Sequence, residues 1–215
     1  MTKEKLAAIQ ARAEQEGWDQ HTTWLVILGE MEPDEVAERA RVREGAKALH
    51  GRPISHWPKI EVRWDLSVEA RHHALDGMKA SDFAGCYSQG DWVLLCVPLD
   101  ELKVAFCSAA RRTPDEVWKI GDPSKAARAL FRWSEGKRMT PPMFGIWQGK
   151  EVTVTGGNHR VAIADAVGVR RIPAYLAQED LRDFLRLVPG ATQIPDAVIG
   201  DPKTWDTICC DTTKE

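Results

Sequence analysis

The sequence predicts an α+β protein: a mainly helical N-terminal region, then strands alternating with helices. Three observations carry the prediction. Apolar residues recur at helical spacing through the first fifty residues, β-rich apolar runs such as "WVLLCV", "MFGIW", "EVTVT" and "RRIPAYL" follow Gly90, and Pro or Gly marks the joints between them. A chain of 215 residues with 43% hydrophobic content has material for one core or two small ones.

Taken in order, residues 3–16 place Leu6, Ile9 and Ala13 on one face of a helix that stops near Gly17. "TWLVILGEM" is apolar enough for a buried strand or a helix end. Pro33-Asp34-Glu35 opens a helix that runs to about Leu49, with acidic residues where the helix dipole favours them. The Gly51-Arg52-Pro53 step breaks it. "KIEVRWDLSVEARHHALDGM" reads as a short strand and then a helix, and "DFAGCYSQGD" as a loop. "DWVLLCVPLDEL" is a buried strand whose Asp100-Glu101 turn starts a helical segment. Two further helix starts follow, at Pro114-Asp115-Glu116 and Asp122-Pro123-Ser124, the second leading to a helix closed by Gly136. Pro141-Pro142 forces extended chain. "MFGIWQGKEVTVT" forms two strands joined at Gln148-Gly149, with Val152 and Val154 on one face.

Composition excludes several classes. The net charge of −3 argues against a whole-molecule grip on nucleic acid or an anionic membrane, leaving only a local basic patch. No apolar run approaches the roughly 20 residues of a membrane span, and the charged start resembles no signal peptide, so the expected location is cytoplasmic. Five cysteines form an odd set without CxxC spacing, which favours reduced thiols over a disulfide frame or zinc site. His72 and His73 are adjacent, and with His21, His50 and His56 they show no metal-ligand spacing. Nine tryptophans are spread along the chain and are expected mostly in the core, with their indole N–H groups satisfied. Arg111-Arg112, Arg132, Lys137-Arg138 and Arg170-Arg171 make either a basic lip for nucleotide or DNA, or ordinary solvated charge.

The most specific stretch is "VTVTGGNHRVAIADAVG". Gly156 and Gly157 permit a turn closed to most residues, Asn158 is a good N-cap, and a helix runs on to Gly168. A helix start is an anion site by geometry and dipole, and Arg160 in its first turn offers a planar charged fork suited to phosphate. The plainer alternative is a tight turn with Arg160 paired to a surface carboxylate.

The series "VPLDEL", "WSEGKRMTPPMF", "TGGNHRVAIADAVG" and "VRRIPAYL", in that order, resembles the ParB/sulfiredoxin-like superfamily over roughly Trp92 to Ala177. The resemblance implies a small mixed sheet with helices at about 91–180. Residues 1–90 would then form a separate helical region, and 181–215 a C-terminal helix and tail. It implies that Gly156, Gly157, Asn158, His159 and Arg160 hold the phosphates of a nucleotide such as ATP, ADP or CTP, with Mg²⁺ as an accompanying ion. It also places catalytic carboxylates beside the turn after the first strand, which makes Asp100 and Glu101 the candidates for base or metal ligand, with Asp122 third; simple helix-start charge is their alternative.

Sulfiredoxins carry a cysteine where this chain has Asn158, so their sulfur chemistry is not expected. About forty residues follow Leu176, too few for the DNA-reading module of ParB proteins. The expected function is a nucleotide-binding protein acting as phosphotransferase or nucleotide hydrolase. Two alternatives remain: a DNA-associated ParB-like regulator or nuclease, and a non-catalytic protein that binds a protein partner through its N-terminal region.

Overall fold

The computed structural model describes residues 2–75, 78, 80–86, 91–110, 113, 116–119 and 121–209. The chain divides into two compact units, Met1–Ala48 and Leu49–Glu215. The first holds three helices: α1 (Lys3–Glu16), α2 (Gln20–Ile27) and α3 (Pro33–Lys47). Thr2 caps α1 by accepting from Lys5 N–H, Gly17 ends it in the left-handed conformation, and Asp19 caps α2 through Thr22 N–H at 2.7 Å. The apolar "TWLVILGEM" is therefore the end of a helix and its turn. Ile9, Val26, Met31 and Val36 form this unit's own small core, and Arg12 ties α1 to α3 by pairing with Glu16 and Asp34.

The second unit is built on a five-stranded mixed sheet: β1 (Trp92–Pro98), β2 (Met143–Trp147), β3 (Glu151–Gly156), β4 (Arg171–Ala177) and β5 (Thr192–Gln193), in the order β3-β2-β4-β1-β5. β2 and β4 run parallel; the other neighbours are antiparallel. The α+β class stands, with a mixed sheet. β1 and β4 pair over their whole length with five consecutive buried residues each, and their continuous apolar runs fit strands covered on both faces. Gln148 and Gly149 both take positive φ, the turn that a twisted hairpin needs.

Six helices complete this unit among the described residues: α4 (Ala80–Cys86), α5 (Leu99–Ala105), α6 (Pro123–Ser134), α7 (Asn158–Ala166), α8 (Leu181–Leu187) and α9 (Asp196–Ile199). Leu95, Leu102, Leu130, Trp133, Phe144, Ile163 and Phe184 meet in one core. Trp64, Leu66 and Ala74 join the same core, as do Phe184 and Val188 after the last long strand. The sheet unit is thus wider than 91–180 at both ends.

Three local expectations change. Residues 59–75 of "KIEVRWDLSVEARHHALDGM" form neither strand nor α-helix. They run extended, share one β-bridge between Trp64 and Met139, and turn in a 3-10 helix at Arg71–Ala74. Trp64, Leu66 and Ala74 are buried without a ladder, so their spacing imitates a regular element. "DFAGCYSQGD" contributes most of α4 instead of a loop, its last residues and the Pro114-Asp115 helix start lying outside the described residues. Cys96 and Cys209 form a disulfide 113 residues apart in sequence, where reduced thiols were expected; the fold lays the C-terminal segment beside β1, a proximity that spacing cannot encode.

The tryptophans largely follow expectation. Trp133 is 1% exposed and donates to the Arg63 carbonyl, Trp57 and Trp118 both donate to the Arg52 carbonyl, and Trp24 and Trp147 are exposed. Among the described residues no helix is long and apolar enough to cross a membrane.

Leu95 is fully buried between β4 and β5, whereas Val104 on α5 is 79% exposed. Leu95→Ala is expected to lose about 2–5 kcal/mol in denaturant unfolding, and Val104→Ala to stay within about 0.5 kcal/mol of the parent.

Candidate functional site

The turn between β3 and α7 owes its form to two close approaches. A Cβ on Gly156 would collide with the Ala74 carbonyl oxygen. Gly157 has φ +84°, and a Cβ there would lie 2.8 Å from Arg160 Nη2 and 2.9 Å from Pro142 Cα. Both glycines are required by space as well as by backbone conformation. Gly157, not Asn158, occupies the N-cap, so Asn158 becomes the first helical residue and no side chain caps α7. The left-handed backbone at Gly157 makes the cap without one.

Arg160 is 6% exposed, and its guanidinium faces inward. Nη1 donates to the carbonyls of Thr140 and Pro141, and Nη2 to those of His73 and Ala74, both at 3.3 Å. The side chain expected to fork a phosphate thus grips four backbone carbonyls from two distant segments. It shapes the turn from below.

His159 points elsewhere. A Cβ on Gly121 would lie 3.3 Å from its Cε1 and 3.4 Å from its Nε2, so the ring sits against the residue that precedes the α6 cap. Asp122 caps α6 by accepting from Ser124 N–H at 2.9 Å, and hydrogen bonds from Ser124 hold its carboxyl below the usual carboxylate range. The His159 side chain, in the first turn of α7, therefore touches the chain just ahead of the α6 cap. Lys125 lies in the first turn of α6 and Arg128 one turn further, 3.9 Å from Asp122.

From Asn158 a cavity of about 410 Å³ extends along one face of α7, through Val161 and Ala162 to Asp165, with Leu99 and Phe106 opposite. Its far end holds an ion pair, Lys103 Nζ to Asp165 at 2.8 Å, which keeps the ammonium above the usual lysine range. Apolar walls between two polar ends suit a planar heterocycle with charged groups beyond it.

The carboxylates read from sequence are placed otherwise. Asp100 is 92% exposed and 3.3 Å from Lys103. Glu101 accepts from Gly190 N–H at 2.7 Å and anchors the loop after α8. Neither lines the cavity, whereas Glu116 and Asp165 do, and Asp122 adjoins His159 through Gly121. Spacing alone could not separate these carboxylates, because the choice depends on which face α5 turns outward. The basic lip also thins: Arg138 donates to the Trp64 carbonyl and pairs with Asp206, Arg171 donates to the Cys96 and Gly190 carbonyls, and Arg111-Arg112 lie outside the described residues. Among the described residues no group of three or more His, Cys, Asp or Glu is placed to hold a metal. Comparison with family models, with curated proteins and with solved structures finds no match.

Two predictions follow from this packing. Gly168 shares the left-handed backbone of Gly157 but has open space around it. Gly168→Ala should cost about 1–2 kcal/mol of stability and Gly157→Ala clearly more; equal losses in urea titrations would contradict the close approach. His73 is held below the usual imidazole range, by removal from water first and then by the charges of His72, Arg160 and Arg132. The unfolded chain then binds the proton more readily, so stability from this group is complete above about pH 6.5 and is lost as pH falls from there toward the folded value. His73→Gln should flatten the decline of the urea midpoint below neutrality.

Proposed function

We propose that the protein binds a nucleotide, with the phosphates at the joint between α6 and α7 and the base in the cavity that runs along α7. The observation that carries this reading is the contact of His159 with Gly121, which places a side chain of the first turn of α7 beside the capped start of α6. The resemblance of the motif series to ParB/sulfiredoxin-like domains supports the same ligand, and phosphoryl transfer or nucleotide hydrolysis is the chemistry it favours. Backbone N–H dipoles and the His159 ring would receive the phosphates, with Lys125 adding charge at the rim. Arg160 acts from behind, as the positioning residue that fixes the turn.

A magnesium ion would arrive with the phosphates, since no ready-made ligand cluster stands among the described residues. Asp122 is the carboxylate nearest this joint. One of its oxygens is committed to capping, and the ionised group would still be able to help hold a magnesium ion or accept a proton. Asp100 and Glu101 stand apart from the cavity and support this role less.

Calorimetric titration of ATP, ADP, CTP and GTP with Mg²⁺ tests the reading. One of them should bind saturably, and His159→Ala and Lys125→Gln should each weaken it about tenfold, the loss of one charge-assisted contact. Arg160 is the wrong residue to remove, because its loss would disturb the fold before the ligand. No binding by any nucleotide would sink the proposal.

A further inference from the structure

A second cavity, of about 810 Å³, opens in the same unit where the Arg71–Ala74 turn meets β1, β4 and the segment around α9. Its lining contains an unusual pair. Arg71 is only 8% exposed, yet its Nε has no hydrogen-bond partner among the described residues, and no described carboxylate forms an ion pair with its guanidinium. Tyr175 on β4 is 1% exposed, and its hydroxyl has Arg71 as its hydrogen-bonding neighbour, with the Asp65 charge also close. The guanidinium carbon lies 5.4 Å from the Tyr175 ring centroid, so the guanidinium and the phenol face the cavity together.

A buried guanidinium without a counter-charge is costly. Arg160 shows what this chain does when an arginine is structural: it surrounds the guanidinium with carbonyl oxygens. Arg71 receives no such shell. Burial holds the Tyr175 hydroxyl above the usual phenol range against the pull of Arg71, so it remains a protonated donor. Glu69 and Asp196 also line the cavity, but among the described residues no carboxylate is bonded to the Arg71 Nε.

We infer that this cavity binds a small planar carboxylate, its carboxyl group held by Arg71 and Tyr175 and its apolar body between Trp92 and Trp205. The walls agree with that class, because both indole rings line the cavity and Trp205 is buried. The mouth narrows it further. Glu69 and Asp196 line the cavity and are exposed, and their charges oppose a phosphate dianion more than a monoanion. The site therefore differs in ligand chemistry from the joint of α6 and α7, and it stands whether or not a nucleotide binds there.

The test is ligand-observed NMR and calorimetry with 2-naphthoate, its neutral isostere 2-naphthamide and the dianion 2-naphthyl phosphate. Naphthoate should bind at least about tenfold more tightly than either, in line with one charge-assisted hydrogen-bonded pair. Arg71→Met should abolish that preference, and the milder Tyr175→Phe, which keeps the ring and removes only the hydroxyl, should weaken naphthoate about three- to tenfold. Should Arg71→Met fail to fold, Tyr175→Phe carries the test alone. Absence of saturable naphthoate binding, equal affinity for the amide, an unchanged affinity in Tyr175→Phe, or displacement of naphthoate by a nucleotide that binds the other site would each overturn the assignment.

Discussion

The buried guanidinium of Arg160 is the point on which the sheet unit turns. It joins the first turn of α7 to carbonyls 20 residues back in sequence and to others 86 and 87 residues back. The Thr140 carbonyl lies in irregular chain and those of His73 and Ala74 end a 3-10 turn, so no sheet ladder holds any of them. A guanidinium is suited to this task because it is planar, permanently charged and offers five donors in a fixed fork. Gly156 and Gly157 follow from it: one lets the Ala74 carbonyl approach, the other lets the guanidinium lie under the turn. The motif that looks from sequence like a phosphate cradle is first a knot in the backbone. Asn158 and His159 come next, in the first turn of α7, and His159 lies against Gly121.

This explains how the sequence was legible in one half and not in the other. β1, α6, the β2–β3 hairpin, α7 and β4 were visible because each is a continuous segment with its own period, breaker and cap. Asp122-Pro123 and Gly136 bracket α6, and Gln148-Gly149 makes the hairpin turn with no help from elsewhere. Residues 59–75 were misread because Trp64, Leu66 and Ala74 are buried by contacts with distant chain, and an apolar spacing without a ladder resembles a short strand or helix.

The site divided along the same line. Gly156 and Gly157 could be recognised as a turn that excludes side chains, since φ and space are local properties. What Arg160 grips could not, because its acceptors are backbone carbonyls, which every residue has and no sequence advertises. From sequence, Asp100 and Glu101 rank ahead of Asp122, yet all three are helix-start carboxylates. Only the fold shows Glu101 anchoring Gly190, Asp100 in solvent and Asp122 next to the residue that touches His159. Arg71 carried no signal, since it lies in a stretch that reads from sequence as part of a helix.

The four-residue turn Arg71–Ala74 is under two constraints at once. Its last two carbonyls are held by Arg160 from the α7 side, while its first side chain enters the cavity beside Tyr175. The Thr140 hydroxyl, donating to the Ala70 carbonyl at 3.0 Å, fixes the residue just before it. A turn tied at both ends has little freedom to release Arg71 to solvent, where a lone guanidinium would otherwise go. The cost of keeping that charge buried is therefore borne by the same bonds that form the Gly156-Gly157 turn. Energetic coupling between two sites needs an element that both of them touch, and this turn is such an element: a carboxylate that settles Arg71 would steady the carbonyls that Arg160 grips, and with them the start of α7.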